Sequence, residues 1–396
     1  MKVGFIITPY KNEELIKEEL IPINDQRPWL QHVNSKFIID YKKKEWVSDD
    51  ISIYYYLKDT YKQYIFEYIL GNDRHIYEKV KRCDIVFLLI FDMLEAFHIL
   101  SNSQFNEMKR TFMLPNVYPP YIFQNFINNK NQYYDYLRQK NINVLPMVYI
   151  SSEEFKKHPK VSVKKVMEMQ RGDDDSFIGK PIFGQEKIDF EKFDKHTQKY
   201  KVVKYLERIS ALYDGCIFQP FVKDLAQNYE FRNFFIGDKY QYTIRTKFIV
   251  VDDVEDQESI FVNMNDHPDN IEIVKFAKKV FSELPQLKMG NKNVDKLVTR
   301  IDIGCCFGIP KYFVSEVEFV PSLFSNEQQV VDSMIDKTIG DQIIKIIQQI
   351  NVSSLTTPKS KKYRIVISIC VIFVLLIFFY SLYVFYKNFL FKKKNK

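Results

Sequence analysis

The sequence predicts an α/β (α+β) chain: an N-terminal α/β unit, a second unit mixing helices with antiparallel strands, and one C-terminal membrane-spanning helix. Three observations carry this. Asp84 to Phe91 (DIVFLLIF) is an unbroken apolar run, as a strand buried on both faces of a parallel sheet requires. Tyr229 to Ile236 and Tyr240 to Phe248 flank Gly237-Asp238, the turn chemistry of an antiparallel hairpin. Ile365 to Tyr386 is a hydrophobic stretch without a charge, long enough at about 1.5 Å per residue to cross a bilayer core of roughly 30 Å.

At 396 residues the chain is long enough for two or three packed units. The net charge of +7 is unevenly spread. From Lys359 onward there are nine Lys or Arg and no Asp or Glu, which leaves 48 basic against 50 acidic residues in the body. A near-neutral body removes the electrostatic case for nucleic acid. The five cysteines show no paired spacing, so neither a zinc site nor a disulfide framework is indicated, and a reduced, cytosol-facing body follows.

In chain order, Lys2 to Thr8 reads as an opening strand, Asn12 to Leu20 as a charged helix and Phe37 to Asp40 as a second strand. Ile51 to Leu70 is aromatic-rich and helical in part. Asp92, at the end of the buried run, either caps a helix or touches a ligand at a strand carboxyl end. Tyr118-Pro119-Pro120 closes this first unit near residue 120. A helix is expected from Lys130 to about Lys140, a strand from Asn141 to Ile150, and a solvated acidic run at Asp173-Asp174-Asp175.

Phe177 to Phe183 (FIGKPIF) is an apolar strand interrupted by Lys180. A lysine there either snorkels to the sheet edge or holds an anion such as phosphate. Gly184 supplies a turn, a strand begins around Ile188 and Phe190, and Thr197 to Tyr213 has helical periodicity. Cys216 to Val222 (CIFQPFV) is the next strand. In the hairpin that follows, Glu230 and Arg232 share one face, and Arg245 can face them from the partner strand, which also fits ordinary cross-strand ion pairing.

Val274 to Leu287 is amphipathic. Leu297 to Ile303 and Tyr312 to Phe319 then alternate as two strands around a turn at Gly304 to Pro310. Arg300 and Asp302 share a face of the first, Glu316 and Glu318 a face of the second. If the strands pair, three carboxylates and an arginine converge. Such an oxygen-only cluster suits Mg²⁺, and it also fits plain surface charge. Ser325 to Ile350 reads as an amphipathic helix weakened by Gly340, and residues 351–364 as a basic linker.

The succession of lysine strand, glutamine strand, Glu-x-Arg strand, arginine, Arg-x-Asp and Glu-x-Glu resembles the ATP-grasp superfamily over about residues 130–324. The α/β unit of residues 1–120 is similar to the domain that precedes that core. The resemblance implies that Lys180, and Lys130 before it, contact nucleotide phosphates. It implies that Gln219, Pro220, Phe221 and Val222 receive adenine through backbone groups. Glu230 and Arg232 would lie near the nucleotide, Arg245 would face the transferred phosphate, and Arg300 would join it in catalysis. Asp302, Glu316 and Glu318 would hold Mg²⁺ between the phosphates of ATP, Glu318 standing where many members carry Asn. The loop Pro181 to Asp189 has one glycine where many members carry several, and Phe319-Val320-Pro321 replaces the usual ending of the acceptor side.

The expectation is an ATP- and Mg²⁺-dependent carboxylate–amine ligase working through an acyl phosphate on an unidentified small-molecule or peptide acceptor. A small-molecule kinase of inositol phosphate kinase type and a non-catalytic nucleotide-binding protein at a membrane are the alternatives. The helix at 365–386 and the basic tail at 387–396 predict a tail anchor in the bilayer with the body in the cytosol, in the endoplasmic reticulum or the mitochondrial outer membrane.

Overall fold

Strand β1 (Lys2–Ile7) lies between β5 (Ile65–Leu70) and β6 (Ile85–Leu88), and β6 pairs in turn with β7 (Val117–Tyr118), every pairing parallel. Ile85 to Leu88 is buried at each position, which is why its sequence shows no alternation. The protein is described from a computed structural model covering residues 1–7, 20–41, 44–89, 107, 109–171, 176–183, 189–194, 199–222, 229–251, 254–305, 311–325 and 327–350. The expected helix at Asn12 to Leu20 (up to residue 19), Asp92, Asp173 to Asp175, Gly184 and everything from residue 351, the 365–386 segment included, lie outside the described residues. The described residues up to 350 belong to one compact unit.

The aromatic-rich stretch divides into helix α1 (Asp49–Thr60) and strand β5. The second expected strand starts later: Ser35–Phe37 forms a 3-10 turn, and only Ile39–Tyr41 is extended, as β3. β3 and β2 (Leu20–Pro22) both pair with β4 (Lys44–Ser48) in a small antiparallel sheet.

Two antiparallel sheets build the rest. The first has the order β10–β9–β11–β8, from Glu191–Phe193, Phe177–Pro181, Gly215–Pro220 and Val148–Ser151. The strand expected from Asn141 is confined to its end, with Pro146 interrupting the run before it. Helices at Ser152–Lys157, Pro159–Met167 and Lys199–Leu212 cover this sheet, burying Phe155, Val163, Val166, Val202, Tyr205 and Leu206 with Phe177 and Phe218. The second sheet has the order β14–β13–β12–β17–β18, from Val254–Phe261, Lys239–Val251, Glu230–Ile236, Val298–Cys305 and Tyr312–Phe319. Gly237 turns its hairpin with a φ of +62°, a value that favours glycine.

The terminal helix is two helices, α9 at Gln328–Asp332 and α10 at Ile335–Gln349 (numbering helices in chain order), separated at Met334, whose φ of +55° ends helical propagation. α10 packs on α1. Gly340 is the contact point, since a Cβ there would lie 2.5 Å from Tyr56 Cδ1. Tyr56 and Tyr61 donate to Asp341 Oδ1 at 2.6 and 2.7 Å. Fully buried Arg27 donates to Asp336 at 3.0 Å and to the Val331 carbonyl at 2.7 Å. The C-terminal helix is thereby tied to the first unit.

Candidate functional site

The five-stranded sheet sets out its charged residues in rows. Arg232 on β12 lies opposite Asp302 on β17, which lies opposite Glu316 on β18. The next row is Phe234, Arg300 and Glu318. Directly paired residues of a sheet point to the same face, so Glu230, Arg232, Arg300, Asp302, Glu316 and Glu318 share one surface.

Arg245 does not share it. A plain two-residue hairpin would pair Arg245 with Glu230, as the sequence expectation assumed. The register shifts between Phe234 and Phe235, so Phe235 faces Tyr240 but Phe234 faces Tyr242. Gln241 is the extra residue, and a one-residue slip turns every later side chain of β13 to the other face. Arg245 thus lies opposite Phe231, with its guanidinium 4.5 Å from the Tyr229 ring centre.

A second bulge helps to build the site. Asp302 faces Glu316 while Ile303 faces Val314, leaving Ser315 unpaired. Its hydroxyl donates to Glu230 Oε1 at 2.6 Å, and its carbonyl accepts from Tyr134 Oη. Tyr134 belongs to α4 (Lys130–Gln139), the helix expected after Asn129. Asn129 caps that helix through its side chain, and the Lys130 N–H donates to the Ile182 carbonyl just beyond β9. One end of α4 is therefore fixed to the first sheet, and Tyr134 ties it to the second.

The first sheet adds Lys180 and Gln219. Lys180 pairs with Ile217 and Gln219 with Ile178, so both side chains leave the same face. Lys180 Nζ lies 5.7 Å from the Tyr134 ring centre. Gln219 is 2% exposed, and its Nε2 is buried without a well-formed hydrogen bond, its side chain lying beside the Tyr134 hydroxyl that donates to the Ser315 carbonyl. A buried amide donor left in that state costs about 1–3 kcal/mol, and a ligand acceptor would satisfy it. In the segment expected to receive adenine, the Phe221 N–H is already given to the Ser176 carbonyl, and Pro220 has none to give. The Phe221 ring lies 3.6 Å from Lys192 Nζ.

The electrostatics follow from burial and pairing. Lys130 contacts Glu316 at 2.8 Å. Arg300 donates to both oxygens of Asp302 at 2.8 Å and contacts Glu318 at 2.7 Å. Arg232 lies 3.5 Å from Glu230. Burial pushes Glu318 up to about 8, against Arg300 and with help from Glu316 and Asp302. Burial likewise raises Asp302 to about 6, opposed by Arg300. Burial works to raise Glu316 too, but Lys130 and Lys180 outweigh it and hold that carboxyl at about 2. Lys180 falls to about 8 because burial disfavours its ammonium more than Glu316 favours it, with Lys130 adding repulsion.

The donor set fits a hard divalent cation. Asp302, Glu316 and Glu318 each offer a carboxylate oxygen, and these oxygens lie within 4.8 Å of one another. All-oxygen donors at this spacing suit Mg²⁺. Tyr134, Ser315 and the amide of Gln219 escape sequence reasoning. Ser315 becomes special only through a bulge, and Tyr134 is one aromatic among 26 tyrosines.

No protein-family model matches this chain, and no curated protein matches it. Solved structures do. D-cycloserine synthetase DcsG aligns with a TM-score of 0.56 at 12% identity, over 86% of this chain and 98% of that one. D-alanyl-alanine synthetase A from Vibrio cholerae O1 biovar eltor aligns at 0.55 and 11% identity, over 90% and 98% of the two chains. D-alanine–D-alanine ligase from Bacillus anthracis, in complex with ATP, aligns at 0.52 and 13% identity, over 87% and 97%.

The chain has the ATP-grasp fold. At these identities the likeness is one of fold. The chemistry of this ATP-grasp core has to be read from its own side chains.

Proposed function

We propose that this ATP-grasp core is an ATP- and Mg²⁺-dependent ligase that joins a carboxylate to an amine through an acyl phosphate. The observation that carries the reading is the meeting of two sheets around one space. Lys180 and Gln219 come from one, Glu230, Arg232, Arg300 and three clustered carboxylates from the other, and α4 brings Lys130 between them. Cations for a polyphosphate beside carboxylates for a metal are what phosphoryl transfer requires, since that chemistry rests on positioning and charge neutralisation. The ligases of the same fold support the carboxylate–amine reading.

In this reading Lys130 and Lys180 hold phosphate oxygens. Asp302, Glu316 and Glu318 hold Mg²⁺, which would act as a Lewis acid on those oxygens. Gln219 offers its amide to the base, and Glu230, fixed by Ser315, lies at the nucleotide end. Arg300 holds Asp302 and Glu318 in their rotamers and faces the phosphate that moves. The test is release of ADP from ATP. Release that requires a carboxylate together with an amine supports the ligase, and release driven by a polyol phosphate alone supports a kinase.

We also propose that residues 365–386 anchor the protein in a bilayer by its C-terminus, with the body on the cytosolic side. Among the described residues no helix is long and apolar enough to cross a membrane, and this segment lies outside them. Its uncharged length supports a membrane span, and the basic residues on both flanks suit the two interfaces without setting the orientation. Retention of the full-length chain in membranes after carbonate extraction is expected, and its appearance in the soluble fraction refutes the anchor.

A further inference from the structure

The three helices that cover the first sheet carry a charge unlike that of the rest of the body. α5 (Ser152–Lys157), α6 (Pro159–Met167) and α7 (Lys199–Leu212) hold nine Lys or Arg and three Asp or Glu, within a body that is near neutral. α8 (Pro268–Glu283) holds three of each, so a lysine-rich composition does not by itself produce the excess. Lys157 and Lys165 pair with Glu153 and Glu154, and Arg208 pairs with Glu191 at 3.1 Å. Lys156, Lys160, Lys199, Lys201 and Lys204 are exposed and have no ion pair to a carboxylate among the described residues.

Apolar groups stand among these cations. Val161, Tyr200 and Leu212 are 52%, 50% and 58% exposed. The buried side chains of α6 and α7, Val163, Val166, Val202, Tyr205 and Leu206, pack with those of the sheet. At about 100° per residue, Val161 and Lys164 point away from that side of α6, and Tyr200 and Lys204 away from that side of α7. The outward face thus combines cations with half-exposed apolar tips. That composition suits a surface resting on anionic headgroups, the charges among the headgroups and the apolar tips shallowly inserted.

We propose that this face, the outer side of α5, α6 and α7, docks on the anionic surface of a phospholipid bilayer. The inference rests on the C-terminal anchor proposed above and adds which side of the body meets the membrane. Residues 351–364 span at most about 50 Å when fully extended, so an anchor at 365–386 keeps the body beside the bilayer. That tether favours lipid over other polyanions, because it presents headgroups at high local concentration. Cytosolic leaflets are anionic, and their attraction for basic side chains falls off within a Debye length, roughly 10 Å at 0.1 M salt. Docking is therefore short-ranged and sensitive to salt.

The test reconstitutes full-length protein in vesicles of phosphatidylcholine alone or with about 30% phosphatidylserine, and follows acetylation of single lysines by mass spectrometry. In about 0.1 M salt, Lys160, Lys201 and Lys204 should label about threefold or more slowly on the anionic vesicles than on the neutral ones, and about 0.5 M salt should abolish the difference. Lys275 and Lys279, exposed on α8, should label equally on both. Lys201→Glu/Lys204→Glu, changed at exposed positions, should restore fast labelling of Lys160 on the anionic vesicles. Equal labelling of the three lysines on the two lipids, or slowing shared equally by α8, overturns the proposal. Protection by added RNA without protection by lipid overturns it too. Release of the full-length chain by carbonate is a different result, the failure of the anchor. Cosedimentation of that released chain with phosphatidylserine vesicles, and not with phosphatidylcholine ones, would still support the docking face, and its absence would overturn it.

Discussion

Arg300 is the counter-charge of the site, and its removal gives a sharp prediction. It is 4% exposed and makes two hydrogen bonds to Asp302 and a close ion pair with Glu318. Charge-assisted hydrogen bonds contribute about 1.5–3 kcal/mol each, so three contacts amount to roughly 5–9 kcal/mol gross. Desolvation of all three groups cancels part of this, and breaking a buried pair by deleting one partner costs about 3–5 kcal/mol. Arg300→Leu should therefore lose about 3–5 kcal/mol in urea unfolding of metal-free protein at pH 7. The deficit should depend on pH with a definite sign. Asp302 and Glu318 already stand near 6 and 8, above their ordinary values, and losing Arg300 raises them further. A carboxyl raised in the folded state favours folding below its unfolded pKa and loses that contribution as pH rises through the folded one. The deficit of Arg300→Leu should grow from pH 5 to pH 8, and Arg300→Leu/Asp302→Leu should recover at least about 2 kcal/mol of it. A loss below about 1 kcal/mol, or a deficit independent of pH, would refute the assignment.

Three further outcomes are expected. Gly340→Ala should destabilise the protein by about 1–3 kcal/mol in the same unfolding assay, because its Cβ would lie 2.5 Å from Tyr56 Cδ1 where α10 rests on α1. Gln219→Leu removes the buried amide that lacks a well-formed hydrogen bond, so free-protein stability should hold or rise by up to about 1 kcal/mol while ATP binding in titration weakens about five- to tenfold. Lys180, lowered to about 8, is neutral above that pH in the free protein. Phosphate favours its charged form, so wild-type ATP affinity should fall as pH rises through 8, and Lys180→Met should bind weakly without that dependence.

What the sequence disclosed, and what it hid, follows the reach of each signal. Ile85 to Leu88 was legible because burial on both faces leaves an unbroken apolar run. Tyr312–Phe319 and the Gly237 hairpin were legible through alternation and turn chemistry. Arg300, Asp302, Glu316 and Glu318 were placed on common faces by counting in twos, and the strand register joined those faces. The same counting failed at Arg245, since one extra residue at Gln241 reverses the face and carries no mark in the sequence. Lys180 stood out as a charge inside an apolar strand, whereas its neighbour Tyr134 came from another element and gave no sign. The Arg27–Asp336 pair spans more than 300 residues, a distance at which no local pattern speaks. Ser325 to Ile350 looked like one helix because its apolar spacing hides the left-handed residue Met334.

Two lysines and three carboxylates are expected to form one Mg·ATP site, and calorimetric titration of full-length protein with ATP in excess Mg²⁺ measures this. One saturable site per chain is expected, weakened at least tenfold by Lys180→Ala and by Asp302→Ala in variants that retain the wild-type circular dichroism spectrum. Absence of saturable binding by the wild type, or undiminished binding by both variants, would contradict this expectation.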